Sequence, residues 1–192
     1  AFRIAGFRKC VGDHFNATWT GTKKGEEYEQ LKAFQRTNHF PGTWNLGRKD
    51  RLYRHLSRTR RAFGAPYDIL PKAFALPGDY EELVTDWAQH PENWYILKPK
   101  ASSRGRGIRM VKSLADVHKK KGAGSVRECI VQRYIRDPYL VDGYKFDMRT
   151  YLLVASLKPK LVFYHDGFAR KSDAKYTSDT KNKNVHVTNA VS

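Results

Sequence analysis

Apolar residues recur along this chain in two rhythms, and each predicts a different kind of element. Short continuous apolar blocks bounded by charged or turn-forming residues read as strands. These are Trp94–Leu97, closed by Pro99; Cys129–Ile135, rich in β-branched residues; Lys145–Leu157, the longest; and Leu161–Tyr164, with Asp166-Gly167 continuing the antiparallel theme. Ile108–Val111 alternates like a strand returning from a hairpin. Asp142-Gly143 is a strong hairpin signal, because both residues tolerate the left-handed backbone that a tight turn needs. Asp137-Pro138-Tyr139 reads as a further turn.

Helical spacing appears at 48–63, where Leu52, Leu56 and Phe63, with Tyr53 beside them, form a stripe. It appears again after Asp79, which with Glu82 makes a capping-box pattern. Tyr80, Leu83, Val84, Trp87 and Ala88 give the buried face of that helix, and Pro91 lies just beyond its end. Shorter helices are expected over Tyr28–Phe34 and Ser113–Lys121. Phe2, Ile4, Phe7 and Val11 suggest a strand and the approach to a helix, and Ile69–Pro77 a short extended segment. Gly21–Gly25 and Asn38–Gly42 read as a loop and a turn. Residues 171–184 are polar and read as a mobile loop. Strands joined mostly by turns, with a few helices, predict an α+β fold.

Composition narrows the picture. With 192 residues and 40% apolar content the chain can bury a core, so a disordered chain is not expected. Lys and Arg number 36 against 19 Asp and Glu, a formal charge of +17. Such a field favours an anionic partner: nucleic acid, acidic lipid, nucleotide or an acidic protein tail. Part of the excess lies on the 48–63 helix, where Arg51, Arg54, Arg58, Arg60 and Arg61 face only Asp50. Cys10 and Cys129 have no metal-ligand spacing, which suits a reducing compartment. No apolar run approaches the ~20 residues of a membrane span, and the N-terminal residues make no signal peptide. Without an initiator Met, and with no tapering at Ser192, the chain reads as a piece of a longer protein.

Candidate chemistry gathers where charge interrupts apolar strands. Lys98 ends the first strand, and the loop to Ile108 carries Arg104, Gly105, Arg106 and Gly107: charge, little steric bulk, and free N–H groups for an anion nest. The loop lacks the Walker pattern, and alone it is also compatible with an ordinary hairpin. Gln132 and Arg133 sit inside the second strand. Lys145, Asp147 and Arg149 alternate along the third, so a period of two puts them on one face. That face is either an ion-pair ladder on a half-exposed sheet or the floor of a nucleotide pocket.

The series Trp94–Pro99, Ser103–Ile108, Val131–Ile135, Asp142–Arg149 and His186–Asn189 resembles the tubulin–tyrosine ligase-like family. Asn38–Gly42 with Arg48–Leu52 resembles its polyglutamylase branch. The resemblance implies an ATP-grasp fold, in which antiparallel sheets hold ATP between two lobes. Residues 1–91 would be an N-terminal and linker region with the basic helix, and 92–192 the central and part of the C-terminal lobe.

Carried over by position, Lys98 would contact ATP phosphates, and Arg104 with Gly105 would cover them. Gln132, Arg133, Tyr134 and Ile135 would line the adenine, with backbone groups reading the base edge. Lys145, Phe146 and Asp147 would face ribose and phosphates, with Thr188 and Asn189 as further nucleotide contacts. Arg149 would lie beside the γ-phosphate and the acceptor carboxylate, Arg170 would bind the incoming amino acid, and Arg104 would also reach the protein substrate.

The implied reaction is ATP-dependent addition of free glutamate to glutamate side chains of acidic tubulin tails. It would proceed through an acylphosphate, with magnesium on the phosphates. The implied partners are tubulin tails and microtubules, in the cytoplasm, cytoskeleton, cilium or flagellum, rather than nucleic acid or membrane. The family's magnesium ligands fall beyond residue 192, so these residues alone are expected to be inactive. Many polyglutamylases have Tyr-Ser where this chain has Ala190-Val191, which keeps a glycylase of the same family as an alternative. A non-catalytic basic binding module is the other alternative.

Overall fold

The computed structural model describes residues 2–100, 105–118, 128–178 and 182–188. The N-terminal part is made of short pieces. β1 (Ala17–Thr18), α1 (Gly25–Glu29) and β2 (Arg36–Thr37) come first, with β1 and β2 paired in parallel. α1 starts where the backbone N–H of Lys24 donates to Glu27 Oε2 at 2.6 Å. The helix expected over Tyr28–Phe34 is therefore displaced toward the N-terminus. The chain after it is held in turns by Gln35, which accepts from the Lys32 N–H and donates to the Asp13 carbonyl. Phe2, Ile4, Phe7 and Val11 form no strand, because no neighbouring strand takes up their backbone groups.

α2 (Trp44–Gly47) leads into α3 (Lys49–Phe63). Arg48 grips Asp50 through two hydrogen bonds at 3.1 and 2.7 Å in the first turn of α3, and Gly64, at φ 81°, ends the helix. After a 3₁₀ turn at Ala65–Tyr67 come β3 (Ala73–Leu76) and α4 (Tyr80–Gln89). The capping box expected at Asp79 is not formed: its carboxylate turns back to the Ala75 N–H at 2.7 Å. β4 (Tyr95–Pro99), β5 (Arg109–Val111), α5 (Leu114–His118) and β6 (Cys129–Arg133) follow. β7 (Leu140–Val141), β8 (Tyr144–Leu157), β9 (Lys160–Lys175) and α6 (Lys183–His186) complete the described chain.

Among the described residues, one antiparallel sheet has the order β3-β6-β4-β5 and a second the order β7-β8-β9. The α+β expectation is met. In the first sheet, alternation sorts the side chains. Phe74, Leu76, Tyr95, Leu97, Val111, Cys129 and Val131 form a buried core with Leu83 of α4 and Val117 of α5. Trp87 stacks on Tyr95 with centroids 4.3 Å apart. Each large side chain so buried contributes roughly 1.5–3 kcal/mol. On the opposite face Tyr53 of α3 packs against Ala73, Ala75 and Ile130, where the two alanines leave room for it. Ile96, Lys98 and Gln132 continue that same face toward the N-terminal end of α3 at Lys49.

The second sheet is dominated by one long hairpin. Asp142 (φ 54°) and Gly143 (φ 81°) both take the left-handed backbone that the Asp-Gly signal predicts. Lys171 and Lys175 pair with Phe146 and Tyr144, so the first part of the expected 171–184 loop is strand, and 183–186 is helical. Polar side chains did not prevent pairing there, because the ladder is made by backbone groups. No helix among the described residues is long and apolar enough to cross a membrane.

Candidate active site

Where the two sheets meet, a cleft of about 720 Å³ opens. From the first sheet it receives Ile96 and Lys98 of β4 and Gln132 of β6. From the second come Lys145, Phe146 and Arg170, and the segment after α6 adds Val187 and Thr188. Tyr134, Ile135 and Tyr139, in the connection between the sheets, give it an apolar wall. These side chains come from distant stretches of chain. They meet because β4 and β6 pair side by side and β8 follows β6 after the connection 134–143, which includes β7.

Two lysines define the polar end. Lys98 Nζ donates to Gln132 Oε1 at 2.6 Å, and Gln132 Nε2 donates in turn to the Pro71 carbonyl at 3.1 Å. Burial lowers the Lys98 pKa, helped by repulsion from Lys49. Lys145 Nζ donates to the Tyr134 hydroxyl at 2.9 Å and to the His186 carbonyl at 3.0 Å, and lies 4.4 Å from the Tyr134 ring centre. Burial, then repulsion from Lys98, brings Lys145 down to about 8, with Asp147 opposing. Tyr134 Oη also meets His186 Nδ1 at 2.9 Å. Burial pushes the Tyr134 phenol well above its usual range, so it stays a neutral hydroxyl. Among the described residues neither Lys98 nor Lys145 has a carboxylate within ion-pair distance. A half-buried pair of ammonium groups facing a largely apolar slot suits a ligand with a flat, weakly polar part and a multiply charged anionic part.

The remaining expected residues fall in different places. The Arg170 guanidinium spans the Asp147 carboxylate, its Nε donating to Oδ1 at 3.0 Å. Burial raises the Asp147 pKa, but the hydrogen bonds from Arg170 and Thr188 outweigh it and the net shift is downward. Arg149 is exposed on β8 opposite Phe168 and does not line the cleft. Gly105 (φ 66°) and Gly107 (φ 72°) both have left-handed backbones. At Gly107 a Cβ would stand 2.8 Å from Pro99 Cγ, so this glycine is required by packing on its own loop. Arg104 and Asn189 lie outside the described residues.

Arg133 presents only its near end to the cleft, because alternation sends its side chain through to the α4 side of the sheet. There Nη2 and Nε donate to Asp86 at 2.5 and 3.1 Å. Asp86 is 1% exposed and also accepts from Lys72 Nζ at 2.8 Å and Tyr95 Oη at 2.6 Å. Burial opposes its ionisation, but the hydrogen bonds from Arg133, Lys72 and Tyr95 outweigh that and hold Asp86 at about 2. This centre clamps β6, β4, α4 and the start of β3 behind the cleft. Sequence reading missed it, although a carboxylate one turn from Leu83 on an apolar helix stripe was a visible signal. It also missed Lys49, Pro71 and His186 as cleft residues, although Lys49 and His186 lie within the series 48–52 and 186–189 that carry the resemblance.

Among the described residues no group of three or more His, Cys, Asp and Glu is placed to hold a metal ion. With the Asp147 carboxylate already engaged by Arg170, the described residues do not fit a magnesium site.

The chain is 36% identical over 182 residues to tubulin monoglutamylase TTLL4 of Homo sapiens, covering 92% of this chain and 15% of that protein. It is 37% identical over 182 residues to tubulin polyglutamylase TTLL5 of Homo sapiens, covering 91% and 14%. With tubulin polyglutamylase TTLL13 of Mus musculus the identity is 34% over 196 residues, covering 98% and 24%. The chain thus spans less than a quarter of the length of these relatives. Among solved structures, the C-terminal domain of K. lactis Pby1, described as an ATP-grasp enzyme interacting with the mRNA decapping enzyme Dcp2, aligns with a TM-score of 0.48 and 21% identity. That alignment covers 78% of this chain and 47% of the other. The family model of the tubulin-tyrosine ligase family matches residues 26–191, and the chain belongs to that family.

Proposed function

We propose that this chain supplies the nucleotide-holding walls of an ATP-dependent ligase, of ATP-grasp type, that joins glutamate to glutamate side chains of tubulin tails. The observation that carries the nucleotide part is the convergence of Lys98 and Lys145, from different sheets, on one apolar-walled cleft. The acceptor and donor rest on the names of the relatives, which are tubulin mono- and polyglutamylases.

In this reading adenine lies against Ile96, Ile135 and Phe146, with the backbone at 132–135 meeting the base edge. Lys98 and Lys145 bind phosphate oxygens. A tail carboxylate oxygen attacks the γ-phosphorus of ATP, the bond to the bridging oxygen breaks, and ADP leaves with that electron pair. The amine of free glutamate then attacks the acyl carbon, inorganic phosphate departs, and an amide remains. Negative charge spreads over the transferring phosphoryl oxygens, so fixed ammonium groups stabilise it in the transition state. Lys98 is pre-aimed by Gln132, and Lys145 by Tyr134 and the His186 carbonyl, so little reorganisation is needed. In the same reading Arg170, which is gripped by Asp147, receives the donor's α-carboxylate, and Arg104 and Arg149 serve the acceptor side. Such an enzyme works in the cytoplasm on microtubules, those of cilia or flagella included.

The test is ATP binding by the full-length protein, followed by incorporation of labelled glutamate or glycine into tubulin. Lys98→Ala is expected to weaken ATP binding at least a hundredfold without unfolding the protein. A wild-type protein that does not bind ATP overturns the reading. Incorporation of glycine in place of glutamate would move the assignment to a glycylase.

A further inference from the structure

A second groove, of about 460 Å³, lies apart from the nucleotide cleft, between α3, the turn after it and the start of α4. We propose that this groove docks an extended acidic peptide, the part of the protein substrate flanking the glutamate that is modified. The inference rests on the ligase reading above for the identity of the peptide, and on the groove itself for its chemistry.

Arg54, Arg58 and Arg61 recur at i, i+4 and i+7, so α3 presents them as one row along the groove. All are exposed, and among the described residues none has a carboxylate partner within ion-pair distance. The neighbouring cations are already occupied: Arg60 pairs with Asp68 at 3.1 Å, and Lys72 with Asp86 at 2.8 Å. A helix row of free guanidinium groups fits carboxylates bidentately.

Asp68, Asp79 and Glu82 also line the groove; Asp68 is already paired with Arg60, and Asp79 accepts from the Ala75 N–H. A peptide brings both kinds of partner to such a groove: side-chain carboxylates for the arginines and a backbone N–H donor for Glu82. A phosphodiester backbone brings only acceptors and leaves Glu82 without a donor, so peptide is favoured over nucleic acid.

The groove is also connected to the reaction centre. Lys49, at the N-terminus of α3, borders the nucleotide cleft. Pro71 borders the cleft too, while Leu70 and Lys72 beside it border the groove. The 15-residue helix is about 22 Å long at ~1.5 Å per residue. At ~3.3 Å per residue an extended peptide covers that length with about seven residues. An acidic stretch held on α3 would thus deliver a carboxylate a few residues away to the cleft.

The experiment compares the full-length protein with a triple variant, Arg54→Gln, Arg58→Gln and Arg61→Gln, and with a charge-matched control, Lys9→Gln, Lys158→Gln and Lys160→Gln. Binding is measured by fluorescence anisotropy for a glutamate-rich peptide, its glutamine counterpart and a single-stranded oligonucleotide. Glutamylation of tubulin is followed by mass spectrometry. The triple variant is expected to bind the acidic peptide at least tenfold more weakly and to show a matching rise in KM for tubulin. KM for ATP and kcat should stay unchanged, and the control should resemble wild type.

Unchanged peptide binding, an equal loss in the control, or a loss confined to the oligonucleotide overturns the proposal. If peptide binding depends on the row but wild type transfers no amino acid, the docking site stands and the catalytic reading fails.

Discussion

The Lys145 ammonium donates to the Tyr134 hydroxyl at 2.9 Å, tying the long hairpin to the residue that follows β6 and holding a cation at the edge of an apolar cleft. Burial and the nearby Lys98 bring this lysine to about 8, whereas an unfolded lysine titrates at ~10.4. The folded state gives up the proton first, so on this account unliganded stability rises between about pH 8 and 10.4. Phosphate binding needs the ammonium form and runs the other way. Raising the pH from 7 to 9 should weaken nucleotide binding by about tenfold, since roughly a tenth of the lysine stays protonated at pH 9. Calorimetry in buffers of different ionisation heat should show proton uptake on binding near pH 8–9, and Lys145→Arg should remove it. Affinity independent of pH, with no proton uptake, would remove Lys145 from the phosphate site.

Asp86 is predicted to be the most sensitive buried polar position described. Asp86→Asn leaves Arg133 and Lys72 without their shared anion and should cost about 3 kcal/mol; partial exposure of both cations keeps the figure at the lower end. Because Asp86 titrates at about 2 when folded and at ~3.9 when unfolded, its contribution is complete above about pH 4 and is lost as pH falls through 2. Denaturant titrations between pH 5 and 2 should show a steeper loss of stability for wild type than for the variant. Parallel curves would mean that the carboxylate is not ionised in the fold.

Gly167 has φ +73° at the register shift where β9 carries an extra residue opposite Arg149 and Tyr151. A Cβ there would run into the Arg149 carbonyl. Gly167→Ala should therefore be much more destabilising than Gly143→Ala, where φ is +81° but the nearest atom is the side chain of Lys175 at 3.7 Å. Strain alone accounts for about 1–2 kcal/mol at Gly143. Melting temperatures of the two variants should differ by several degrees in that order, and equal losses would contradict the bulge.

The Asp147–Arg170 pair, partly open to solvent, is expected to contribute about 1 kcal/mol of coupling in a double-mutant cycle of Asp147→Asn and Arg170→Gln followed by chemical denaturation. Additive single losses would show that the pair is not formed in solution.

By itself the sequence determined the strands at 95–99, 129–133 and 144–157, the helices at 49–63 and 80–89, and the hairpin turn at Asp142-Gly143. All of these follow from local rules: a period of two or of 3.6, and a backbone conformation that only some residues tolerate. It also marked Lys98, Gln132 and Lys145 as charge or polarity inside strands, which burial makes costly wherever it occurs.

Tertiary structure alone decided which side of a strand each of them meets. Gln132 and Arg133 are neighbours in sequence, yet one faces the cleft and the other crosses to Asp86, because α4 covers only one face of the sheet. Phe2–Val11 looked like a strand and is not one, while Lys171–Lys175 looked like a loop and is paired. In both cases the presence of a partner strand outweighed side-chain pattern, since the ladder is made by backbone groups that every residue carries.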